Sequence, residues 1–427
     1  MMMRSTEATV SEQFIGKDNS RWLDRLARNA VHKHLTALGK GEIVLREGKI
    51  EYYFGKKTPD CRLCVTIDVL DLRFYSDIAF AGSIGAGESY MQGFWTCSNL
   101  TDLVRLLLIN RHVLDSMDGS LSRFKAPIHK LMHWFNRNTR NGSRRNIEAH
   151  YDLGNDLFEQ FLDPTLMYSS AYYQTPAMSL EQAAVAKLDR ICLKLELTPH
   201  DHVLEIGTGW GGFAIHAARH YGCRVTTTTI SRQQFELACD RVKQAGLQDR
   251  ITVLLDDYRD LQGQFDKLVS IEMIEAIGHQ YLSTYFSKCH HLLKPNGMML
   301  LQAITIADQQ YETALREVDF IKRYIFPGGF LPSIAVMTHT IAKVTDMKLF
   351  HLEDIGPHYA STLRDWRLRF FRNIDIIKAL GYSDTFIRMW NFYFCYCEGA
   401  FIQRAIGTVQ MLLVKPSSQR APVQLPD

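Results

Sequence analysis

A cluster of glycines directly follows an acidic residue near the middle of this 427-residue chain. An apolar run ends at Glu205, and Gly207, Gly209 and Gly211 then alternate with larger residues. From Phe213 onward, apolar residues recur at helical spacing. Such a strand, tight turn and helix start is typical of nucleotide-binding α/β units, because glycines let the backbone pass close to a ligand. The turn therefore predicts a nucleotide-like ligand, with Glu205 as a hydrogen-bond acceptor at its rim.

Polar side chains also follow the next predicted strands. Ser231 comes after an apolar and threonine-rich run, Asp257 after the next run, and Glu272 after the one that follows. The carboxyl ends of parallel strands meet at one edge of a sheet, and ligands of open α/β folds bind there. We therefore expect these three residues to lie at the same edge as Glu205.

The elements that position these residues form a regular alternation. Apolar runs of strand length separate amphipathic segments of helix length, which predicts a mostly parallel sheet covered on both faces and hence an α/β fold. The predicted strands are 202–206, 224–230, 251–255, 267–271 and 298–304, and the helices between them are 212–220, 232–244 and 280–293.

The remainder of the chain divides by composition and periodicity. A helix is predicted over 22–38, and a period of two from residue 42 to about 94 predicts strands, which together indicate a small amino-terminal α+β domain. The predicted organisation is a disordered tail 1–20, the α+β domain 21–118, a basic linker 119–147, the α/β domain 148–416 and a disordered tail 417–427.

The predicted linker 119–147 contains no acidic residue, and its basic side chains include Arg123, Lys125 and Lys130. Apolar and aromatic side chains fall at helical spacing among them. Such a helix lies in the interface of an anionic membrane, or it packs by its apolar side on the protein itself, and the pattern leaves both interpretations open. A nucleic-acid partner is not expected, because the formal net charge is only +3 and no nucleic-acid motif is present.

The composition indicates a globular protein without a membrane span. Apolar residues make up 46% and charged residues 22% of the chain, and no stretch approaches the roughly 20 apolar residues that a span requires. The first 20 residues lack the apolar core of a signal peptide. Nine scattered cysteines, with Cys61 and Cys64 as one isolated C-x-x-C, favour reduced thiols in the cytoplasm over a metal site.

Several motifs of the second half resemble one family closely. The chain is similar to the cyclopropane-fatty-acid synthases, which are S-adenosylmethionine-dependent methyltransferases, over roughly residues 148–416. The matching segments, beside the glycine turn, are His150–Phe158, Met167–Tyr172, Thr229–Ser231, Asp257–Asp260, Tyr324–Gly329, Leu331–Ser333 and Cys397–Phe401. The resemblance implies a Rossmann-like sheet with a helical lid, and transfer of a methylene group from S-adenosylmethionine to the double bond of an unsaturated phospholipid.

The resemblance also implies two sets of site residues. The residues expected to bind S-adenosylmethionine are Tyr168, Ser169, Glu205, Gly207, Gly209, Gly211, Thr229, Ser231, Gln234, Asp257 and Tyr258. The catalytic residues, expected to hold a bicarbonate ion that acts as the base, are Ser170, Glu275, Gln302, Tyr359 and Cys397. On pattern alone, Cys397 is more often a buried core thiol, and Glu275 could cap the helix that follows it.

Two of these positions depart from the family pattern, which has Cys where Ser170 stands and His where Gln302 stands. The loss of an imidazole puts bicarbonate binding and ring closure in doubt, so a methyl- or methylene-branched product is an alternative. A lipid-binding or S-adenosylmethionine-binding protein without activity is a second alternative. We expect a cytoplasmic enzyme at the inner membrane surface, and the oligomeric state, with a homodimer as one option, stays open.

Overall fold

The computed structural model describes residues 17–113 and 154–424, with side chains from residue 24 onward. The described residues divide into two compact units. The first contains the residues up to Ser98 together with those from Asn110 to Val113, and the second contains Asn99–Ile109 and the residues from Gly154 onward. The basic segment 119–147 lies outside the described residues, so both interpretations of it stay predictions.

The first unit is an α+β fold, as predicted. Its four-stranded sheet has the order β2-β1-β3-β4, in which β1 and β3 are parallel and the other pairs antiparallel. The strands are β1 (Gly41–Glu47), β2 (Ile50–Lys56), β3 (Cys64–Val69) and β4 (Trp95–Cys97), and the helices are α1 (Lys17–Leu35) and α2 (Arg73–Met91).

Helix α2 corrects the prediction of strands as far as residue 94. Its buried apolar residues include Phe74, Tyr75 and Ile78, whose spacing of three and four residues is helical. Gly82, with φ of 55°, kinks the helix and interrupts the pattern. The strand prediction was wrong here because a short apolar run interrupted by glycines does not distinguish the period of a strand from the period of a helix.

The second unit is built on a seven-stranded sheet of order β10-β11-β9-β8-β5-β6-β7. The five strands β5 to β9 run parallel, and β11 lies antiparallel between β9 and β10. The strands are β5 (His202–Ile206), β6 (Arg224–Thr228), β7 (Ile251–Leu254), β8 (Phe265–Ile271), β9 (Leu293–Ile306), β10 (Lys348–Asp354) and β11 (Ile406–Val414). The predicted α/β class with a mostly parallel sheet is confirmed.

Helices cover both faces of this sheet and extend beyond it. Those before and between the parallel strands are α4 (Asn155–Glu159), α5 (Leu180–Lys194), α6 (Gly212–Tyr221), α7 (Arg232–Gln244) and α8 (Leu282–Leu292). Those that follow β9 are α9 (Asp308–Arg316), α10 (Ile334–Val344), α11 (Gly356–Arg372), α12 (Ile374–Ala379) and α13 (Asp384–Ile402). Among the described residues, no helix is long and apolar enough to cross a bilayer.

The core explains why the sheet is covered on both faces. Leu204 of β5 packs in one apolar cluster, and its neighbour Val203 packs in a second. Along β9, Met299 belongs to the first cluster and Met298 to the second. Successive side chains of a strand point to opposite faces, so a strand that is apolar at every position needs a core on each side.

Helix α3 (Leu100–Ile109) packs on α13 within the second unit, although the sequence placed it in the domain 21–118. The Thr101 hydroxyl donates to Glu398 at 2.8 Å. A Cβ at Gly399 would lie 2.8 Å from the side chain of Val104, so the glycine permits the close approach of the two helices. Tertiary packing, which the local sequence does not show, determines that α3 belongs to the second unit.

The tail predicted to be disordered from residue 417 is held to the second unit over its described part. The Ser417 backbone N–H donates to the Pro295 carbonyl at 3.3 Å, and the Arg420 guanidinium donates to the Lys194 carbonyl at 3.1 Å. Val423 packs against an apolar cluster of the core. The structure therefore differs from the prediction over residues 417–424.

A largely buried ionic group fixes α5 to the edge strand β10 and to its neighbour β11. The Glu353 carboxylate accepts hydrogen bonds from Arg190 at 2.8 Å and from Lys194 at 2.5 Å. Lys194 is fully buried and also donates to Gln410 at 2.7 Å. Burial opposes ionisation of Glu353, but the hydrogen bonds from Arg190 and Lys194 outweigh it and lower the pKa of Glu353 to about 2.

We predict that Glu353→Gln lowers the free energy of unfolding by roughly 3–5 kcal/mol at neutral pH, because the buried Lys194 and the largely buried Arg190 lose their counterion. Since the folded-state pKa lies below the usual 4.5, this contribution is complete above about pH 5 and is lost as the pH falls from about 4.5 toward 2. Denaturant unfolding of both proteins between pH 2 and 7 measures the difference. Glu312→Gln, at a side chain that is 71% exposed, is the control and should change stability by at most about 0.5 kcal/mol. A Glu353→Gln difference independent of pH would contradict the prediction.

Candidate active site

The glycine turn joins β5 to α6 and needs glycine at several positions. Gly207, Gly209 and Gly211 have φ of 103°, 51° and 82°, a region that other residues adopt at a cost of roughly 1–2 kcal/mol. The backbone N–H groups of Gly207 and Thr208 both donate to the Thr228 carbonyl of β6 at 3.0 Å, which fixes the turn to the sheet. A Cβ at Gly209 would meet no atom within 4 Å, so the turn borders open space at this point.

Glu205 lies buried beneath this turn. The Thr227 hydroxyl donates to its carboxylate at 2.6 Å and lies 2.7 Å from the Thr208 hydroxyl oxygen. Burial raises the pKa of Glu205 to about 8, against the opposing effects of Thr227 and Lys187. The predicted acceptor is thus present at the carboxyl end of β5, as part of a hydrogen-bonded group with two threonines.

At the next strand end, three predicted cofactor-binding residues form one buried group. The Thr229 hydroxyl donates to the side-chain oxygen of Gln234 at 2.8 Å and accepts from the Ser231 backbone N–H at 3.1 Å. Ser231 caps helix α7, since its hydroxyl accepts from the Gln234 backbone N–H. These residues shape the edge of the sheet at the end of β6.

Asp257 and Tyr258 follow β7 at the same edge. The Asp257 carboxylate accepts from the Arg259 backbone N–H at 3.0 Å and forms an ion pair with the Arg259 guanidinium at 2.5 Å. The Tyr258 ring packs edge-on against the buried Tyr285 at 5.5 Å between centroids. The turn after β7 is therefore held by an ion pair, a backbone hydrogen bond and an aromatic contact.

Tyr168 and Ser169 lie on the segment between α4 and α5. The hydroxyl oxygens of Tyr168 and Tyr393 are 3.0 Å apart, and Ser169 accepts a hydrogen bond from the Lys187 ammonium at 2.8 Å. Lys187 is fully buried, and burial lowers its pKa to about 8 although Glu272, Asp163 and Glu205 act in the opposite direction. A buried cation therefore lies under the segment that carries Ser169.

The structure gathers three of the five predicted catalytic residues around one carboxylate. Both oxygens of Glu272 accept hydrogen bonds: Oε1 from the Ser170 backbone N–H at 3.0 Å and from the Gln302 side chain at 2.8 Å, and Oε2 from the Tyr359 hydroxyl at 2.8 Å. Four separate elements contribute to this group, which we call the Glu272 cluster. Burial raises the pKa of Glu272, and its three donors act in the opposite direction.

Glu275 lies next to the cluster on a short helical turn after β8. One of its oxygens accepts from the Ile304 backbone N–H at 2.5 Å, and the other is buried without a hydrogen-bond partner among the described residues. Burial, and then the charge of Glu272, raise the pKa of Glu275 to about 8. A buried polar atom without a partner costs stability, so it requires an explanation such as a role in catalysis.

Cys397 is placed on α13, and no hydrogen bond joins it to the Glu272 cluster among the described residues. It is close enough to Tyr359 and Tyr393 to act electrostatically on both, and burial raises the pKa of its thiol. A thiol with a raised pKa is neutral at pH 7, so it would not act as a nucleophile.

Tyr359 is the aromatic member of the Glu272 cluster, and an aromatic face can stabilise a cation. Its ring also stacks on Phe401 at 4.5 Å between centroids. Trp390 and Phe394 are fully buried and contact each other in an aromatic core, and Tyr172 packs under the Arg190 guanidinium. Trp390 and Phe394 are thus core residues.

Comparison with known proteins identifies the family. The family model for mycolic acid cyclopropane synthetase matches residues 138–411. The chain therefore belongs to the mycolic acid cyclopropane synthetase family. The cyclopropane-fatty-acyl-phospholipid synthase of Escherichia coli is 38% identical over 79% of this chain and 85% of its own length. The tuberculostearic acid methyltransferase of Mycobacterium tuberculosis is 37% identical over 78% of this chain and 79% of its own length.

Solved structures of the family agree in fold. The crystal structure of the mycolic acid cyclopropane synthase CmaA1 complexed with SAH and CTAB is 33% identical, has a TM-score of 0.60, and covers 64% of this chain and 98% of its own. SAH is the form of S-adenosylmethionine that has lost its methyl group. The chain is thus an S-adenosylmethionine-dependent methyltransferase.

Two residues of the site were not assigned a role from the sequence. Glu272 was placed only at a strand end, since nothing in its neighbourhood shows that Gln302 and Tyr359 converge on it. Lys187 was overlooked, although a signal was present: it lies on the buried side of α5, between Ala184 and Ile191. A lysine on the apolar side of a helix requires buried partners.

We predict that Gly209→Ala weakens binding of S-adenosylmethionine at least about tenfold, because the added methyl group projects into the space beside the turn. The control is Gly246→Ala, at a glycine with φ of 66° that also has no atom within 4 Å of an added Cβ but lies after α7. Both substitutions should cost roughly 1–2 kcal/mol of stability from the left-handed backbone. Calorimetric titration with S-adenosylmethionine and thermal unfolding give both quantities. Equal affinities for the two variants would contradict the placement of the ligand.

Proposed function

We propose that this protein transfers a one-carbon unit from S-adenosylmethionine to the double bond of an unsaturated phospholipid acyl chain and forms a cyclopropane ring. The observation that carries the proposal is the Glu272 cluster, in which a carboxylate is held by donors from several elements. It lies after β8, the sheet neighbour of the strand that leads into the glycine turn. Relatives that are named for cyclopropane synthesis on phospholipid or mycolic acid support the lipid class of the substrate.

The chemistry of an alkene explains why the site needs both features. S-Adenosylmethionine supplies an electrophilic methyl group when bound, and an alkene is a weak nucleophile, so the two must be held in line in a dry site. Methyl transfer leaves a positive charge on the acyl chain. The ring closes only if a base then removes a proton from the new methyl group. The resemblance implies bicarbonate as this base.

A methyl-branched or methylene-branched product is the second candidate, and a specific observation favours it. Ser170 and Gln302 replace the Cys and His expected from the family pattern, and a relative 37% identical to this chain is named a methyltransferase of tuberculostearic acid. Either product begins with the same methyl transfer and differs in the fate of the charged acyl chain.

Product identification separates the candidates. The purified protein is incubated with S-adenosylmethionine that carries a labelled methyl group and with vesicles of unsaturated phospholipid, and the released acyl chains are identified by mass spectrometry. We expect a labelled cyclopropane. A labelled branched chain would replace the proposal by the second candidate, and S-adenosylmethionine binding without label in the lipid would leave only a binding protein.

We further propose that the protein contacts the inner membrane surface through the basic segment 119–147. The support is the composition of the segment: basic side chains interspersed with aromatic ones, and no acidic residue. Reversal of three charges, at Arg123, Lys125 and Lys130, should lower the fraction of protein that sediments with anionic vesicles several-fold at low salt.

A matched variant controls for net charge in this experiment. Reversal at Arg232, Arg316 and Lys378, whose side chains are 74%, 73% and 52% exposed, changes the charge by the same amount outside the segment. Equal losses in the two variants, or no loss in the first, would contradict a membrane role of the segment.

Ultracentrifugation of the lipid-free protein tests whether it is a homodimer.

A further inference from the structure

The backbone at Glu272 has a conformation that a glutamate rarely adopts. Its φ is 48°, in the left-handed region, which costs a non-glycine residue roughly 1–3 kcal/mol. The residue follows β8 directly, and its own N–H donates to the Gln302 carbonyl at 2.8 Å. Such strain persists when the surroundings hold the residue in place, and it is concentrated at functional sites. Here it aims the carboxylate at Ser170, Gln302 and Tyr359.

A chain of buried side chains determines which group Gln302 offers to Glu272. The Lys194 ammonium can only donate, and it donates to the side-chain oxygen of Gln410 at 2.7 Å. The amide nitrogen of Gln410 therefore faces the side-chain oxygen of Gln302 at 3.0 Å, and the amide nitrogen of Gln302 faces Glu272 at 2.8 Å. Lys194, Gln410 and Gln302 are all fully buried. Lys194 thus fixes the orientation of the Gln302 amide through Gln410.

A second carboxyl group, that of Glu275, lies beside Glu272. Glu275 has one backbone donor and one oxygen without a partner, so its environment favours the neutral form while Glu272 has three donors that favour the anion. The buried Lys187 adds a positive charge that acts on Glu272. Two carboxyl groups whose surroundings differ in this way divide into a charged and a neutral member.

We propose that the Glu272 carboxylate is the general base that removes the proton from the transferred methyl group, in the place that an external anion such as bicarbonate would otherwise take. The inference rests on the proposed function. The hydrogen bonds of Ser170, Gln302 and Tyr359, which an added anion would need, are already made to Glu272. A second anion at the same place would in addition meet the repulsion of a carboxylate in a site of low dielectric constant.

The step balances without another reactant. The alkene electron pair forms the bond to the methyl carbon while the pair of the breaking carbon–sulfur bond stays on sulfur, which becomes a neutral thioether. The acyl carbon left with a positive charge then receives the electron pair of a methyl C–H bond, which closes the ring. The proton of that C–H bond passes to a carboxylate oxygen of Glu272 and afterwards to water. Neither an oxidant nor a reductant is required.

Three variants test the base. Glu272→Gln keeps the shape but accepts no proton, so product formation should fall by roughly 10²–10⁴ and should not recover with bicarbonate. Glu272→Gly opens the space and suits the left-handed backbone, so it should fold, lose activity in carbonate-free buffer, and regain at least about tenfold with added bicarbonate or formate. Glu236→Gln, at an exposed side chain of α7, is the control and should keep full activity.

Two further readouts distinguish a base from a residue that only supports the fold. With a deuterated methyl group on S-adenosylmethionine, the kinetic isotope effect should increase in Glu272→Gln, because proton removal becomes the slow step. Calorimetric titration should detect bicarbonate binding to Glu272→Gly and none to the native protein. Binding of S-adenosylmethionine within about twofold of native shows that each variant is folded.

The outcomes for the native protein separate this inference from the proposed function. We expect its rate in carbonate-free buffer to change by less than about twofold when bicarbonate is added. Lipid product with a rate that rises tenfold or more with bicarbonate would overturn Glu272 as the base and leave the proposed function intact. Full activity of Glu272→Gln would do the same. An absence of lipid product under every condition would overturn both.

Discussion

The hydrogen-bonded chain from Lys194 through Gln410 and Gln302 to Glu272 is the constraint on which the site depends. Each amide has one accepting and one donating end, so a cation at one end of the chain fixes the direction of every bond in it. A buried lysine can only donate hydrogen bonds, since its ammonium group has no acceptor atom. The same lysine joins α5 to Glu353 of β10. Stability of the sheet edge and orientation of the catalytic carboxylate are therefore coupled through one ammonium group.

This coupling requires one particular strand register. Gln302 of β9 lies opposite Gln410 of β11 in the antiparallel pair. A slip of one residue would turn one of the two amides to the other face of the sheet, where the core is apolar. The antiparallel strand β11 thus joins β9 to the edge strand β10 and also carries Gln410, the amide that Lys194 contacts. A change in the register of β11 would leave buried polar groups without hydrogen-bond partners.

Local patterns predicted the parts of the fold that local physics determines. The strand, glycine turn and helix from residue 202 to 221 follow from neighbouring residues, and the structure contains them. The helix α2 was missed because its glycines and small residues weaken the period. The role of Glu272 was missed for a different reason. Its partners Ser170, Gln302 and Tyr359 lie 102, 30 and 87 residues away, and no local pattern shows such a convergence.

Three glutamates at one sheet edge show how surroundings, rather than residue type, determine the chemistry of a side chain. Glu205 is buried and Glu272 and Glu275 are partly buried, and burial raises the pKa of each. Glu205 has a threonine donor, Glu275 has one backbone donor beside a charged neighbour, and Glu272 has three donors. Because each donor stabilises the anion, the negative charge of the adjacent pair should settle on Glu272. A substitution that removes one donor from Glu272 would therefore shift negative charge toward Glu275. The ionised carboxylate, which is the form that accepts a proton, would then no longer be the one that Ser170, Gln302 and Tyr359 orient, although neither glutamate had been replaced.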